Sequence, residues 1–262
     1  MRAPVVFLRG LHTQGKDYLS FGPFGRFLVY GPLQSEIGKV RSFLPLQNII
    51  AGTIEETKTQ VAQLIRDQLE LLPSTQKIHL LGHSMGGLIA RAIVHEPTLY
   101  DRVLSVTTIA APHLGSPIAK LATELEHSHP HVQNLICNLG YDIRAKKKYF
   151  MDLHAEAMAM FNLIYKDRPG INYASLVTAV PPGEWILPYY LVQKILQPFR
   201  EEADGLVEVS SQHWGNVLGR FDLDHVSGLG IFSMKTPWVR KRHELEFRKM
   251  VAVLLDHWES LD

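Results

Sequence analysis

A chain of 262 residues is long enough for one large domain with a substantial buried core and short for two. Its composition, 46% hydrophobic and 20% charged with a net charge of +1, is that of an ordinary globular protein and gives no support to a nucleic-acid or acidic partner. The single cysteine, Cys137, excludes an intrachain disulfide, and no apolar run reaches the roughly 18 residues of a membrane span.

Val5-Val6-Phe7-Leu8 is a continuous apolar run interrupted at Arg9, which suits a strand buried on both faces better than the core of a secretory leader. A cytoplasmic location is the resulting expectation. Thr53 and Glu56 then form a capping-box pattern, and Val61, Leu64, Ile65, Leu69 and Leu72 recur at helical spacing, predicting a helix over 54–72 that Pro73 closes. Lys77 to Leu81 reads as a strand, Gly86 to Val94 as a helix and Val103 to Ile109 as a β-branched strand. This alternation predicts an α/β fold with a mostly parallel central sheet flanked by helices.

From 115 to 168 no strand pattern appears. The segment reads as a mostly helical insertion, a cap or lid, within a single domain spanning 1–262, and it includes the basic cluster Arg144, Lys146, Lys147 and Lys148. Tyr173 to Ala179 resumes as a strand. Trp185 to Phe199 is apolar and aromatic, broken by Pro188 and Pro198, and the last helix carries Phe247, Met250, Val251, Leu254 and Trp258 on the face that should meet the sheet.

Gly82-His83-Ser84-Met85-Gly86 matches G-x-S-x-G and sits between a predicted strand and a predicted helix. So sharp a turn needs glycines around the serine, aims the Ser84 hydroxyl out of the sheet edge and points the Met85 N–H toward a developing oxyanion. A serine hydroxyl is a weak nucleophile, so a histidine base and an acid to orient it are required.

With this elbow the chain resembles the lipase and esterase branch of the α/β-hydrolases, in particular the bacterial triacylglycerol lipase group. The resemblance rests on Gly82 to Gly87 with Ala90-Arg91, on Ala111-Pro112-His113-Leu114-Gly115-Ser116, on Asp204-Gly205-Leu206-Val207 with Ser210-Ser211, and on Asp224-His225-Val226. It covers most of 5–117 and 173–228. It implies an α/β-hydrolase fold, carboxylic ester hydrolysis without metal or organic cofactor, and the chain order Ser84, Asp204, His225 for the catalytic triad. Glu201, Glu202, Asp222 and Asp224 are rival acids. The first pair reads as solvated charge, and the second lies too near His225 in sequence for easy triad geometry. The family pattern also implies a second oxyanion donor after the first strand; here Arg9-Gly10-Leu11 makes Leu11 the candidate beside Met85, with Arg9 standing where the family carries histidine. Several calcium-binding relatives have an aspartate two residues after the catalytic histidine, where this chain has Ser227.

Thirteen histidines make a lone one uninformative. His83 is expected to pack beside the nucleophile and His113 to be structural. His127, His129 and His131, spaced around a proline, fit a solvated loop better than a metal site. The substrate is expected to be an ester or lipid with a medium or long acyl chain, met at a transient lipid-surface contact. Met158 and Phe161 of the insertion and Trp185, Leu187 and Tyr190 of the later stretch either line an acyl pocket or lid, or simply bury the insertion against the sheet. The same triad could serve a thioesterase, phospholipase or acyltransferase, and the fold could serve a binding protein without turnover.

Overall fold

The structure, a computed structural model, describes residues 2–8, 10, 18–20, 26–28, 31–44, 46, 53–124, 147–185, 190–191, 193–194, 197–232 and 235–262. Its frame is a six-stranded sheet built from β1 (Val5–Leu8), β4 (Phe43–Leu44), β5 (Ile78–His83), β6 (Val103–Ile109), β7 (Asn172–Thr178) and β8 (Asn216–Phe221), in the order β4-β1-β5-β6-β7-β8. Every pair in it is parallel. A separate antiparallel pair joins β2 (Tyr18–Ser20) to β3 (Arg26–Leu28). The central strands are buried on both faces, as their unbroken apolar runs require.

Helices cover both faces. The helix α2 (Ile54–Glu70) starts at the capping box read from sequence: Thr53 Oγ1 accepts the Glu56 N–H (3.1 Å) and the Glu56 carboxylate accepts the Thr53 N–H (2.8 Å). It packs on α3 (Met85–Ile93), which is buried along its whole length. On β6, neighbouring residues point to opposite faces. Thr108 meets α3, lying 2.9 Å from where a Cβ on Gly87 would be, while Thr107 Oγ1 accepts the Trp258 indole N–H (3.1 Å) from the last helix on the other face.

That last helix, α8 (Pro237–Glu259), buries Phe247, Met250, Val251, Leu254 and Trp258, the stripe expected from its spacing, and packs on β8 and on α1 (Gly31–Gly38). Between β6 and β7 the described residues form α4 (Pro117–Glu124), α5 (Lys147–Asp152) and α6 (Ala155–Ile164). A short helix, α7 (Val209–Gln212), precedes β8. Residues 125–146 lie outside the description, and with them Cys137, His127, His129, His131, Arg144 and Lys146.

At the N-terminal end of the strands, His79 stacks on Trp258 with centroids 5.1 Å apart and bonds Ser105 Oγ through Nδ1 (2.7 Å). Burial pushes the His79 pKa down to about 4, against the opposing pull of Asp262. Trp258 thus fills the joint between α8 and the sheet while its one polar atom is satisfied. Trp258→Ala is expected to lower the unfolding free energy by about 3–5 kcal/mol, read as an earlier midpoint in urea denaturation at neutral pH.

Candidate active site

The C-terminal ends of β5, β7 and β8 bring the predicted residues to one edge of the sheet, the edge at which parallel α/β folds build their sites. Ser84 lies between β5 and α3 with φ 56° and ψ −133°, a backbone conformation that costs a non-glycine residue energy. Its surroundings hold it there. The Ser84 N–H donates to the Ile109 carbonyl and the Gly87 N–H to the Ser84 carbonyl, both at 2.9 Å. A Cβ on Gly82 would lie 2.5 Å from the Gly86 carbonyl oxygen, and one on Gly87 would lie 2.6 Å from Ala111 Cβ. Strand and helix can therefore close on the turn only because both positions are glycine. Met85 opens α3, so its N–H is one of the first-turn donors without an acceptor inside the helix.

Asp204 and His225 meet. The fully buried Asp204 carboxylate accepts four hydrogen bonds: from the Leu206 N–H (2.9 Å) and Val207 N–H (2.8 Å) at Oδ1, and from Thr178 Oγ1 (3.0 Å) and His225 Nδ1 (2.8 Å) at Oδ2. Gly205, at φ 102°, makes the turn that folds the two N–H groups back onto the carboxylate. The His225 N–H also donates to the Asp204 carbonyl (2.9 Å), so main chain and side chain of the two residues are paired. With Nδ1 donating to a carboxylate, the neutral ring keeps its lone pair on Nε2. That atom is buried and has no hydrogen-bond partner among the described residues.

The rival acids lie elsewhere. Glu202 pairs with Arg220 (2.6 Å), Glu201 accepts the Ser210 N–H (2.7 Å), and Asp224 pairs with Lys235. His83 joins His225 to the elbow: its Nε2–H donates to the His225 carbonyl (3.0 Å), and the two rings lie 4.6 Å apart. Burial, reinforced by the charge His225 can carry, pushes the His83 pKa well below its ordinary value. Its neutral ring therefore serves as a fixed donor. A Cβ on Gly10 would lie 2.9 Å from Ser84 Cβ, which places the chain just before Leu11 against Ser84. Leu11 itself and Arg9 lie outside the described residues.

Sequence reasoning gave no role to Thr178, Gln212, Arg91 or Lys235. Thr178 ends β7, and its hydroxyl holds Asp204. Gln212 pairs with the Thr178 main chain as a neighbouring strand would: Oε1 accepts the Thr178 N–H (2.7 Å) and Nε2 donates to the Thr178 carbonyl (2.8 Å). The one available signal was the place of Thr178 at the end of a predicted strand; Gln212 offered none. Arg91, on α3, is buried beneath α6. It donates to His113 Nδ1 (3.1 Å), Asn162 Oδ1 (2.9 Å) and the Tyr165 carbonyl (3.0 Å), with its guanidinium 3.3 Å from the Trp214 ring centre. Burial lowers its pKa to about 10. The His113 ring takes a structural place here, with Nε2 bonded to Thr108 Oγ1 (3.2 Å).

Of the residues expected to line a pocket, Met158, Phe161 and Trp185 are buried in the hydrophobic core, and Tyr190 is half-buried against it. Phe161 packs on the Arg91 guanidinium, and the Trp185 indole N–H donates to the Val180 carbonyl (2.9 Å). Leu187 lies outside the described residues. Met160, Leu163 and Ile164 of α6 face outward. Ser227 Oγ bonds His243 Nδ1 (2.9 Å). Among the described residues no group of three or more His, Cys, Asp or Glu could hold a metal, and no helix is long and apolar enough to cross a membrane.

Four buried histidines resist protonation: burial lowers His83 and His113 well below 6.5 and His79 and His243 to about 4. The unfolded chain takes up these protons near pH 6.5, while the folded chain does not. Their stabilising contribution is thus complete above that pH and is lost as pH falls below it, down to about 4 for His79 and His243. Denaturant midpoints are expected to be level above about pH 7 and to drop from about 6.5 downward, each unit of pKa difference being worth about 1.4 kcal/mol per group.

A family model described as PGAP1-like alpha/beta domain matches residues 47–139. Triacylglycerol lipase 2 of Saccharomyces cerevisiae is 30% identical over 187 residues, which is 67% of this chain and 53% of the relative, so the chain spans about half that protein's length. Among solved structures, the mature form of the Bacillus licheniformis lipase BlEst2 superposes with a TM-score of 0.67 at 18% identity, over 98% of this chain and 92% of the other. The Staphylococcus hyicus lipase does so with a TM-score of 0.68 at 14% identity, over 99% and 96%. Identities this low speak for the shared fold. By its parallel sheet, its serine elbow and these likenesses, the chain has the α/β-hydrolase fold and is similar to lipases and esterases.

Proposed function

We propose that this protein hydrolyses carboxylic esters of lipids, with medium or long acyl chains, through an acyl-enzyme on Ser84. The observation that carries the reading is the pairing of His225 Nδ1 with the buried Asp204 carboxylate (2.8 Å) on a loop bonded to the strained elbow through His83. In this reading Ser84 Oγ attacks the ester carbonyl as His225 Nε2 takes its proton. Asp204 holds the imidazole tautomer and stabilises the imidazolium. The N–H groups of Met85 and Leu11 receive the oxyanion. The C–O bond to the alcohol breaks as His225 returns the proton to the leaving oxygen. Water, deprotonated by the same ring, then releases the acid and restores Ser84.

The substrate class rests on two supports. The yeast relative bears the name triacylglycerol lipase. In addition, α6 turns Met160, Leu163 and Ile164 outward, an apolar face suited to transient contact with a lipid surface. Met158 and Phe161 act from beneath, fixing the helix rather than meeting the acyl chain.

Ser84→Ala is expected to abolish turnover of p-nitrophenyl esters and labelling by a fluorophosphonate while leaving the circular dichroism spectrum unchanged. Near-normal turnover in that variant would remove the nucleophile assignment. Across esters from acetate to palmitate, activity should rise with chain length; collapse beyond butyrate would instead make the protein a short-chain esterase. Thr178→Val keeps shape but deletes one of the four donors on Asp204, and kcat should fall by about tenfold with KM little changed, the pattern of an interaction spent on the transition state.

A further inference from the structure

The loop that carries His225 is closed by a ring of side chains that the acyl-transfer steps do not use. Asp224, immediately before His225, is fully buried. Its Oδ1 accepts the Ser227 N–H (2.9 Å), which starts the short 3-10 turn Ser227–Leu229, and its Oδ2 pairs with the Lys235 ammonium. The same ammonium donates to the Glu184 main-chain carbonyl. The Glu184 carboxylate pairs with Arg242 and accepts from His243 Nε2 (3.2 Å), while His243 Nδ1 lies 2.9 Å from Ser227 Oγ. The path Asp224, Lys235, Glu184, His243, Ser227 thus returns to Asp224. It ties three separate pieces of chain together: the His225 loop, the 3-10 turn Pro182–Glu184, and the segment from Lys235 into the first half of α8.

The ring is internally consistent in charge and protons. Two carboxylates face two cations, and His243 stays neutral, its pKa lowered to about 4 by burial. A carboxylate only accepts, so His243 carries its proton on Nε2 and leaves Nδ1 to receive the Ser227 hydroxyl. The Lys235 and Asp224 side chains are 2% and 0% exposed. A pair so buried adds little stability over an apolar replacement of the same size, because both ions are taken out of water to make it. What it does supply is one arrangement: an ammonium with two fixed acceptors cannot slide as a methyl group can.

We propose that Lys235 is a positioning residue, which through Asp224 and Glu184 fixes the loop so that the His225 ring keeps its place between Asp204 and Ser84. This rests on the reading of Ser84 as nucleophile and His225 as its base. Lys235 touches neither of them, and its effect passes through the main chain of the Asp224-His225 step.

The test compares wild type with Lys235→Met and with Asp224→Asn/Lys235→Met by ester turnover and by proton NMR of the His225 Nδ1–H, assigned by its loss in His225→Gln. In folded Lys235→Met, kcat should fall by about tenfold or more with KM within about twofold, and the Nδ1–H signal should broaden through faster exchange. The double variant leaves no unpaired buried carboxylate and is read in place of the single one if that fails to fold. It too loses the tether, so kcat should fall by about threefold or more with the signal again broadened. A folded variant with wild-type kcat, or one with lowered kcat and an unchanged Nδ1–H signal, overturns the positioning role. If wild type shows no ester turnover, the esterase reading fails instead, and the NMR comparison still decides whether Lys235 holds the ring.

Discussion

Everything at this site depends on a steric allowance: α3 lies so close to β5 at Gly82, and to the end of β6 at Gly87, that no side chain fits at either. That closeness forces Ser84 into a positive φ and presents its side chain at the sheet edge rather than in the helix–sheet interface. The strain is held by neighbours, through the bonds from Ser84 to Ile109 and from Gly87 back to Ser84. The other site elements come to the elbow. Gly10 brings the loop after β1 against it, His83 bonds the loop after β8, and Thr178 at the end of β7 holds the carboxylate between them.

The buried carboxylates here follow a common rule: each meets fixed donors, and most of those donors are main-chain N–H groups or neutral side chains. Asp204 takes two peptide N–H groups, a hydroxyl and an imidazole, with no arginine or lysine among them. A cation beside that carboxylate would compete with the His225 ring for its Oδ2. The charged pairs sit one layer back, at Asp224 with Lys235 and at Glu184 with Arg242.

Much of the frame was legible in the sequence because it depends on local pattern. The run from Val5 to Leu8, the capping box at Thr53 and Glu56, the strand from Val103 to Ile109 and the stripe on the last helix are each written in adjacent residues. What was not legible lacks such a pattern. Strand β8 is a half-exposed edge strand, and β4 has two residues, so neither carries a clear apolar alternation. The order of Ser84, Asp204 and His225 came from resemblance, not from periodicity. Thr178, Gln212 and Lys235 are ordinary polar residues whose placement arises only when distant segments meet. Met158 and Phe161 show the complementary difficulty: apolar residues on an inserted helix look alike in sequence whether they face a pocket or the core.

Arg91 has a consequence for how this fold can change shape. Its guanidinium is buried between α3 and α6, held by uncharged acceptors and two aromatic rings, and it forms no ion pair among the described residues. Swinging α6 outward would strip a buried cation of two acceptors at once, Asn162 Oδ1 and the Tyr165 carbonyl. That loss is a cost which holds the helix in place. The C-terminal end of α6 stays bolted to α3, the helix that Ser84 precedes.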